Sequence, residues 1–333
     1  FAATLKLVGD MLRQPALDAT EFEQAQREAI AVVEAQRGEP LMLGQITFAR
    51  QVGKYAKGHP RYIPLPDEQI EQYKAATIAD VRKFYNEFYG ASMGELAVVG
   101  DFDEAEVARI AADAFGGWKS ATAFKPIPVS LAATTTGKRT VETPDKPNAL
   151  FVAGETFSMK DTDADYPALL LINYALGESP LDSRLPARIR TKEGLSYAVQ
   201  TALNVAALDR AGQWVALAIS SPANADKVQA AFNDEMGKIL KDGFSAEEVE
   251  RNKAAYLQRR SLGRANDLTL ATQLTNGLFL GRTMTFDDDI EKKIGALTAD
   301  QVNAALRRTI DLSKMSVVMA GDFSKVTQAG KPQ

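Results

Sequence analysis

The stretch Val317-Val-Met-Ala-Gly-Asp-Phe323 repeats an earlier one, Leu96-Ala-Val-Val-Gly-Asp-Phe102. Upstream of each lies a matching segment, Thr298-Ala-Asp-Gln-Val302 and Thr77-Ile-Ala-Asp-Val81, at the same offset of 221 residues. Thr is a favoured N-cap residue, and a short apolar run closed by Gly-Asp is typical of a buried strand. The sequence therefore predicts a duplicated unit in which an amphipathic helix leads into a strand.

A weaker match lies further upstream in each copy. Asp18-Ala-Thr-Glu-Phe-Glu23 pairs with Ser245-Ala-Glu-Glu-Val-Glu250 at an offset of 227 residues, and both begin with the capping-box pattern. The change in offset predicts a longer loop in the first copy, for which 57–66 is a good candidate. The period is too long for a solenoid, so the repeat indicates a duplicated domain.

Domain organisation follows from the repeat and from the segment between the copies. Residues 116–137 contain Pro126, Pro128 and a Thr-rich patch, which is typical of a linker. We therefore predict a first domain at 1–115, a linker at 116–137 and a complete second domain at 138–333. Projecting the second copy back by either offset places the origin of the first before Phe1, so we expect the first domain to lack its opening strands and helices.

The predicted fold class is α+β, with two homologous domains, each a largely antiparallel sheet with helices packed on it. In the second copy the apolar patterns predict strands near Val141 and at 149–152, 197–205 and 213–220, and helices at 166–176 and 183–192. Further helices are expected from about residues 223, 246, 265 and 300. The hairpin between the last two strands carries Asp209 and Gly212.

Composition excludes several classes of function. The 333 residues are 45% hydrophobic and 25% charged with a net charge of −4, which does not suggest a nucleic-acid partner. The longest apolar run, at 168–172, is too short to span a membrane. There is no cysteine, which excludes disulfides, thiolate zinc sites and a cysteine nucleophile. That absence fits both the cytosol and the periplasm.

Metal and cofactor chemistry has little support in this chain. Its only histidine, His59, stands between Gly58 and Pro60 and cannot by itself supply the three protein ligands of a zinc site. A Ser-His-Asp triad would need the same residue, and no phosphate-binding glycine loop is present. We therefore expect no metal ligands and no cofactor-binding residues here.

The segment 183–199 carries the candidate site. Leu185 and Ile189 have helical spacing, and Gly194 is a suitable C-terminal cap before a strand that starts at 195 or 196. Arg190 and Tyr197 bracket that turn, so a guanidinium and a phenol could converge at one end of the sheet. The residues alone leave an alternative open, in which Arg190 caps its own helix and Tyr197 is a half-buried strand residue.

The string Arg190-Thr-Lys-Glu-Gly-Leu-Ser-Tyr197 resembles a segment in the carboxy-terminal half of insulinase and pitrilysin zinc peptidases. In that family one half binds zinc through an inverted H-x-x-E-H motif and a distal Glu. The other, non-catalytic half supplies an Arg and a Tyr, seven residues apart, that reach the substrate. The resemblance implies that Arg190 and Tyr197 hold those roles, with a peptide as substrate. The duplicated domains and the Gly-Asp-Phe strand ends also resemble this family.

The sequence departs from the family pattern in two places. The family's glycine-rich turn appears here as Gly177-Glu-Ser-Pro180, with one glycine, and the zinc motif is absent. The region expected to hold the distal zinc Glu, 23–26, is not rich in acids. The resemblance therefore implies that zinc belongs to a partner half, fused upstream or on a separate chain, and that this chain acts in peptide hydrolysis only when joined to it.

Two other functions stay open. One is a structural subunit similar to the respiratory-complex core proteins, which resemble this family and do no chemistry. The other is a module that binds extended peptide by strand addition to an open sheet edge. By analogy with the family, the bacterial periplasm is favoured over the cytoplasm as the compartment.

Overall fold

The computed structural model describes residues 1–131, 134–179 and 182–324. The α-helices are α1 (Ala2–Arg13), α2 (Ala19–Gln36), α3 (Pro40–Val52), α4 (Pro66–Ala75), α5 (Ile78–Phe88), α6 (Glu104–Phe115), α7 (Tyr166–Asn173), α8 (Arg184–Pro186), α9 (Ala225–Asp242), α10 (Ala246–Arg264), α11 (Asp267–Phe279), α12 (Met284–Ala296) and α13 (Ala299–Thr309). Two π-helical segments, Tyr174–Glu178 and Ala187–Lys192, continue α7 and α8. The strands are β1 (Gly137–Glu142), β2 (Ala149–Phe157), β3 (Ser196–Val205), β4 (Gly212–Ser220) and β5 (Ser316–Gly321).

The five strands form one sheet in the order β1-β5-β2-β4-β3. Only the pair of β1 and β5 is parallel, whereas β2–β5, β2–β4 and β3–β4 are antiparallel. The predicted α+β class is confirmed, as are the predicted strands of the second copy to within a few residues. Among the described helices, none is long and apolar enough to cross a membrane.

The larger core lies between one face of the sheet and a layer of helices. Phe151 of β2 and Trp214 of β4 contact Phe232 of α9, with ring centroids 5.2 and 6.5 Å from that of Phe232. Leu306 of α13 and Met319 of β5 are buried in the same cluster. Burying aromatic and aliphatic side chains of this size stabilises a fold by about 1.5–3 kcal/mol each, so this layer fixes the sheet.

The opposite face of the sheet is covered only in part. Phe48 and Val52 of α3 pack there against Leu150, Val152 and Val318, and α3 contacts β1, β2 and β5. On β3 the residues that alternate onto this face are exposed, namely Ala198, Gln200, Ala202 and Asn204. One end of the sheet therefore has an open face that leads to the edge strand β3.

The helices of the predicted repeat recur in the structure at the predicted offsets. Thr77 forms a capping box with Asp80 at the start of α5, and Thr298 forms the same device with Gln301 at the start of α13. Adding 221 to the first and last residue numbers of α5 gives those of α13. Adding 227 to those of α3 gives those of α11. The change in offset falls between α3 and α5, where the longer loop is predicted.

The predicted strand at Leu96–Phe102 is wrong, because the structure assigns no strand there. All strands of the described residues lie between Gly137 and Gly321. A strand needs a neighbour to satisfy its backbone N–H and C=O groups. In the second copy β5 has β1 and β2 as neighbours, whereas no described strand lies beside Leu96–Phe102.

The described chain divides into two compact units that are not continuous in sequence. The first comprises 1–35, 66–127 and 261–285, and the second comprises the described parts of 36–65, 128–260 and 286–333. The equivalent helices α3 and α11 thus belong to different units, α3 to the second and α11 to the first. The domain boundaries predicted from sequence stay predictions, and residues 132 and 133 of the predicted linker lie outside the described residues.

Glu155 is a buried carboxyl in the larger core. It is 2% exposed on β2, and its Oε1 accepts the backbone N–H of Asp311 at 2.7 Å. Burial raises its pKa from 4.5 to about 7, with a smaller contribution from the charge of Asp311, while the Asp311 N–H bond and Lys314 act in the opposite direction. The carboxyl therefore holds its proton more tightly in the folded chain than in the unfolded chain.

We expect this group to make stability fall as pH rises. Its stabilising contribution is complete below pH 4.5 and is lost as pH rises through about 7, because the folded state then has to bury a charge. Glu155→Gln removes the titration, so between pH 5 and pH 8 the variant should gain about 1–3 kcal/mol in unfolding free energy relative to wild type. Urea unfolding at several pH values measures this. The control is Glu247→Gln, at an exposed position of α10. If this variant changes the pH dependence of the unfolding free energy as much as Glu155→Gln does, that dependence does not come from Glu155.

Candidate functional site

The turn between α8 and β3 carries the predicted site. Arg190 lies in the π-helical segment Ala187–Lys192 that continues α8. Gly194 has a φ of +63° and donates its N–H to the Arg190 carbonyl at 3.1 Å, while Leu195 donates to Ile189 at 3.0 Å. The predicted glycine cap is confirmed, because a left-handed residue ends the helix and turns the chain into the strand.

Tyr197 lies on a β-bulge at the start of β3. Ser196 pairs with Ser220 and Ala198 pairs with Ile219, so two neighbouring residues of β4 face residues of β3 that are two apart. Tyr197 is the extra residue. The Ser196 hydroxyl is 2.6 Å from the carbonyl oxygens of both Ala198 and Ile219, and its single O–H, shared between these two acceptors, holds the bulge. Bulges redirect a side chain out of the ladder and are frequent beside functional sites.

Both candidate side chains are available to a ligand. Tyr197 is 68% exposed, and Arg190 is also exposed. Within the described chain neither the Arg190 guanidinium nor the Tyr197 hydroxyl has a hydrogen-bond or ion-pair partner. The alternative arrangement, with Arg190 bonded to its own helix carbonyls and Tyr197 half-buried, is not what the structure shows. One turn thus offers a fork of N–H donors and an O–H donor to solvent.

Arg184 anchors the helix that leads into this turn. Its Nε and Nη2 donate to the two carboxylate oxygens of Glu248 on α10, both at 2.7 Å, and its Nη1 donates to Glu235 on α9 at 3.1 Å. The guanidinium also lies over the Phe244 ring, 5.4 Å from its centroid. The bidentate pair with Glu248 and the single bond to Glu235 fix α8 against α10 and α9.

Arg188 supports the turn itself. It pairs with Glu193, the residue before Gly194, and with Asp234 of α9 at 3.0 Å. The Arg188 and Lys238 hydrogen bonds also lower the pKa of Asp234, with that of Lys238 contributing most. Sequence inspection did not single out Arg184 or Arg188, because their partners on α9 and α10 are distant in the chain.

The single glycine of the predicted glycine-rich turn has a packing role. Gly177 lies in the π-helical segment Tyr174–Glu178 against Thr201 of β3, and a Cβ there would be 2.6 Å from Thr201 Cγ2. Thr201 Oγ1 donates to the Asn173 carbonyl at 3.1 Å. This close contact fixes β3 against the helix layer. Pro180, the last residue of that predicted turn, lies outside the described residues.

The residues present do not fit a zinc ion. His59 lies on a loop, where its ring stacks on Tyr55 with centroids 4.7 Å apart and its Nδ1 accepts the N–H of Arg61 at 3.0 Å. Across residues 1–131, 134–179 and 182–324, no group of three or more His, Cys, Asp or Glu side chains could hold a metal ion. No step of a reaction is therefore assigned to a metal bound by this chain.

The family model described as Peptidase M16 inactive domain matches residues 75–256, which is more than half of the chain and includes the whole turn from Arg184 to Tyr197. The chain belongs to this family. The M16 inactive domain is also similar to a solved peptidase M16 inactive domain from Pseudomonas fluorescens, with a TM-score of 0.80 at 22% identity over 96% of this chain and 74% of that chain. No curated protein sequence matches it significantly.

Two further solved structures share the fold at low identity. The periplasmic protease PqqL from Escherichia coli matches with a TM-score of 0.69 at 16% identity, over 96% of this chain but only 34% of that chain. A chain of complex III2 from Candida albicans, solved with Inz-5 bound, matches with a TM-score of 0.71 at 15% identity over 98% of this chain and 80% of that one. The fold of this chain therefore occurs both in a protease and in a chain of complex III2.

Proposed function

We propose that this M16 inactive domain is the non-catalytic half of a zinc endopeptidase and that it supplies Arg190 and Tyr197 as donors to the substrate. The observation that supports this most is the exposed, unpartnered state of both side chains on one turn, with Tyr197 placed there by a bulge. A structural role would not require a free guanidinium beside a free phenol. The resemblance of 190–197 to the family's Arg–Tyr segment points the same way.

The proposed chemistry of these residues is electrostatic. In peptide hydrolysis the carbonyl oxygen of the scissile bond gains negative charge as the tetrahedral intermediate forms. Arg190 would donate N–H groups from a permanently charged guanidinium, and Tyr197 would donate its O–H, both to that oxygen. Their bonds strengthen as the charge develops, so they favour the transition state over the bound peptide. The zinc ion and the base that activates water would belong to the partner half.

The surrounding contacts fix the backbone that carries Arg190 and Tyr197. Arg184 fixes α8 to α9 and α10, and Arg188 holds Glu193 next to the Gly194 cap. The Ser196 hydroxyl holds the bulge that carries Tyr197. A fixed backbone limits how far the donors of Arg190 and Tyr197 have to reorganise when charge develops, and small reorganisation favours such stabilisation.

The alternative function is a subunit that binds or supports other proteins without catalysis. The outer edge of β3 pairs with no described strand, which favours strand addition by an extended peptide. The shared fold with a chain of complex III2 is compatible with a structural role. If the chain binds or supports other proteins without catalysis, Arg190 and Tyr197 variants would change the affinity for a partner. They would leave every rate of cleavage unaffected.

The purified 333-residue chain should cleave no peptide and contain no stoichiometric zinc, and cleavage should appear when a zinc-bearing M16 half is added. The physical reason is the lack of three suitable metal ligands close together in the described chain. Elemental analysis and digestion of an unstructured peptide test both parts. About one tightly bound zinc per chain, or cleavage by this chain alone, would contradict the proposal that the zinc and the catalytic base belong to the partner half.

A further inference from the structure

Strand β3 offers an unused edge along its whole length. It is the last strand of the sheet, and in the part of the chain that the structure describes only β4 pairs with it. Ala198, Gln200, Ala202 and Asn204 are exposed on the side of β3 that α3 leaves open. An exposed edge with small and neutral side chains can accept another extended chain by backbone hydrogen bonds.

A cavity of about 490 Å³ lies at the far end of this edge. Asn204 and Val205 of β3 and Gln213 of β4 form one side, and Val52, Tyr55 and Leu131 line it as well. Among the described residues that line it, none is charged. The volume is enough to admit a large side chain, since it lies within the range of about 300–1,000 Å³ found for pockets that bind drug-sized ligands.

The neutral lining limits what this cavity can bind. An apolar side chain gains by leaving water, whereas a charged side chain would lose its hydration with no opposite charge to compensate. The cavity is also at a defined distance from the proposed site. Asn204 lies seven positions after Tyr197 on β3, which at about 3.3 Å per residue corresponds to about 23 Å.

We propose that this cavity anchors an uncharged, apolar side chain of an extended peptide that lies along the β3 edge. A paired strand has the same rise per residue, so the anchored residue lies about seven positions from the peptide bond held at Arg190 and Tyr197. The position of that bond rests on the proposed function, whereas the anchor itself does not. The M16 inactive domain would thus select substrates by an apolar residue remote from the cleaved bond.

The test measures binding to the 333-residue chain alone, so it does not depend on catalysis. Three labelled twelve-residue peptides share one polar, strand-forming sequence and carry Leu, Lys or Asp at a single position near one end. We expect the Leu peptide to bind about tenfold more tightly than the other two. Fluorescence anisotropy gives the three dissociation constants.

Asn204→Asp places one carboxylate in the lining with little change of shape. It should weaken binding of the Leu peptide, strengthen binding of the Lys peptide and abolish or reverse the preference between them. Gln45→Glu is the matched control, because it adds the same charge at an exposed position of α3 outside both the β3 edge and the residues that line the cavity. The ratio of the Leu and Lys affinities should stay within about twofold in that control.

Equal affinities for the three peptides, absence of binding, or the same change in both variants would overturn the proposal. So would N-acetyl-leucinamide binding as tightly as the Leu peptide, because the cavity would then be a site for small molecules. If the Leu preference holds while Arg190 and Tyr197 variants keep full activity, the anchor stands and only the proposed catalytic role fails.

Discussion

Arg190→Ala should lower kcat of the assembly with the zinc-bearing half by about 10²–10³ and change KM much less. Within the described residues the Arg190 guanidinium has no partner, so it can meet charge that develops only in the transition state. Tyr197→Phe removes one hydroxyl and should also lower kcat, by a smaller factor than Arg190→Ala does. Steady-state kinetics on one peptide, with the zinc content and thermal unfolding of each variant, measure these effects.

Two control variants separate the donor geometry from simple charge. Lys192→Ala removes a cation from the same π-helical segment, two residues from Arg190, and should change kcat by only a few fold. Arg190→Lys keeps the charge but loses the planar fork, and should restore only part of the rate. If Lys192→Ala is as damaging as Arg190→Ala, or if both site variants lose activity only by unfolding, the proposed role is incorrect.

The turn that carries the candidate site could be predicted from the sequence because its signals are local, whereas the roles of Arg190 and Tyr197 came from the family resemblance and stay predictions. Gly194 marks the helix end, and seven residues from Arg190 to Tyr197 are enough for one turn and the start of a strand. The bulge at Tyr197 could not be predicted, because it is defined by pairing with Ser220 and Ile219 of β4. The exposure of Tyr197, on which the proposed role depends, follows from that pairing.

The helices of the repeat were also predictable, and for the same reason. A Thr with Asp80 or Gln301 three residues later is a complete N-cap within one turn of helix. The strand predicted at Leu96–Phe102 failed because a strand requires a partner, and partners are a property of the whole sheet. Apolar periodicity identified a suitable segment but could not supply its neighbours.

The contacts that hold the site together were hidden from the sequence. Arg184 meets Glu235 and Glu248, which are 51 and 64 residues away in the chain. Neither carboxylate has a local pattern that relates it to Arg184. The cavity at the end of β3 is likewise lined by residues that are distant in the chain, namely those at 52, 53, 55, 129–131, 156, 166, 203–206 and 211–213. Such features become visible only when the packing of the helix layer and the sheet is known.

Gly177→Ala should destabilise the fold by about 2–3 kcal/mol, because the added methyl group has no space. Its Cβ would be 2.6 Å from Thr201 Cγ2, 2.8 Å from Thr201 Oγ1 and 3.0 Å from the Thr201 backbone nitrogen. The side chain of Thr201 could rotate only by giving up its hydrogen bond to the Asn173 carbonyl. The backbone nitrogen could retreat only if β3 moved away from the helix layer. The unfolding free energy in urea measures the loss.

Gly237→Ala is the matched control for this substitution. Gly237 lies within α9, and an added Cβ there meets nothing within 4 Å. Ala is the better helix former, so this variant should gain about 0.5–1 kcal/mol. Adding Thr201→Ala to Gly177→Ala removes two of the three close contacts and should recover part of the lost stability, whereas the contact with the backbone nitrogen remains. If Gly177→Ala has the same midpoint of urea unfolding as wild type, the close packing on the π-helical segment does not hold β3 in place. The fixed backbone position of Tyr197 then loses its support.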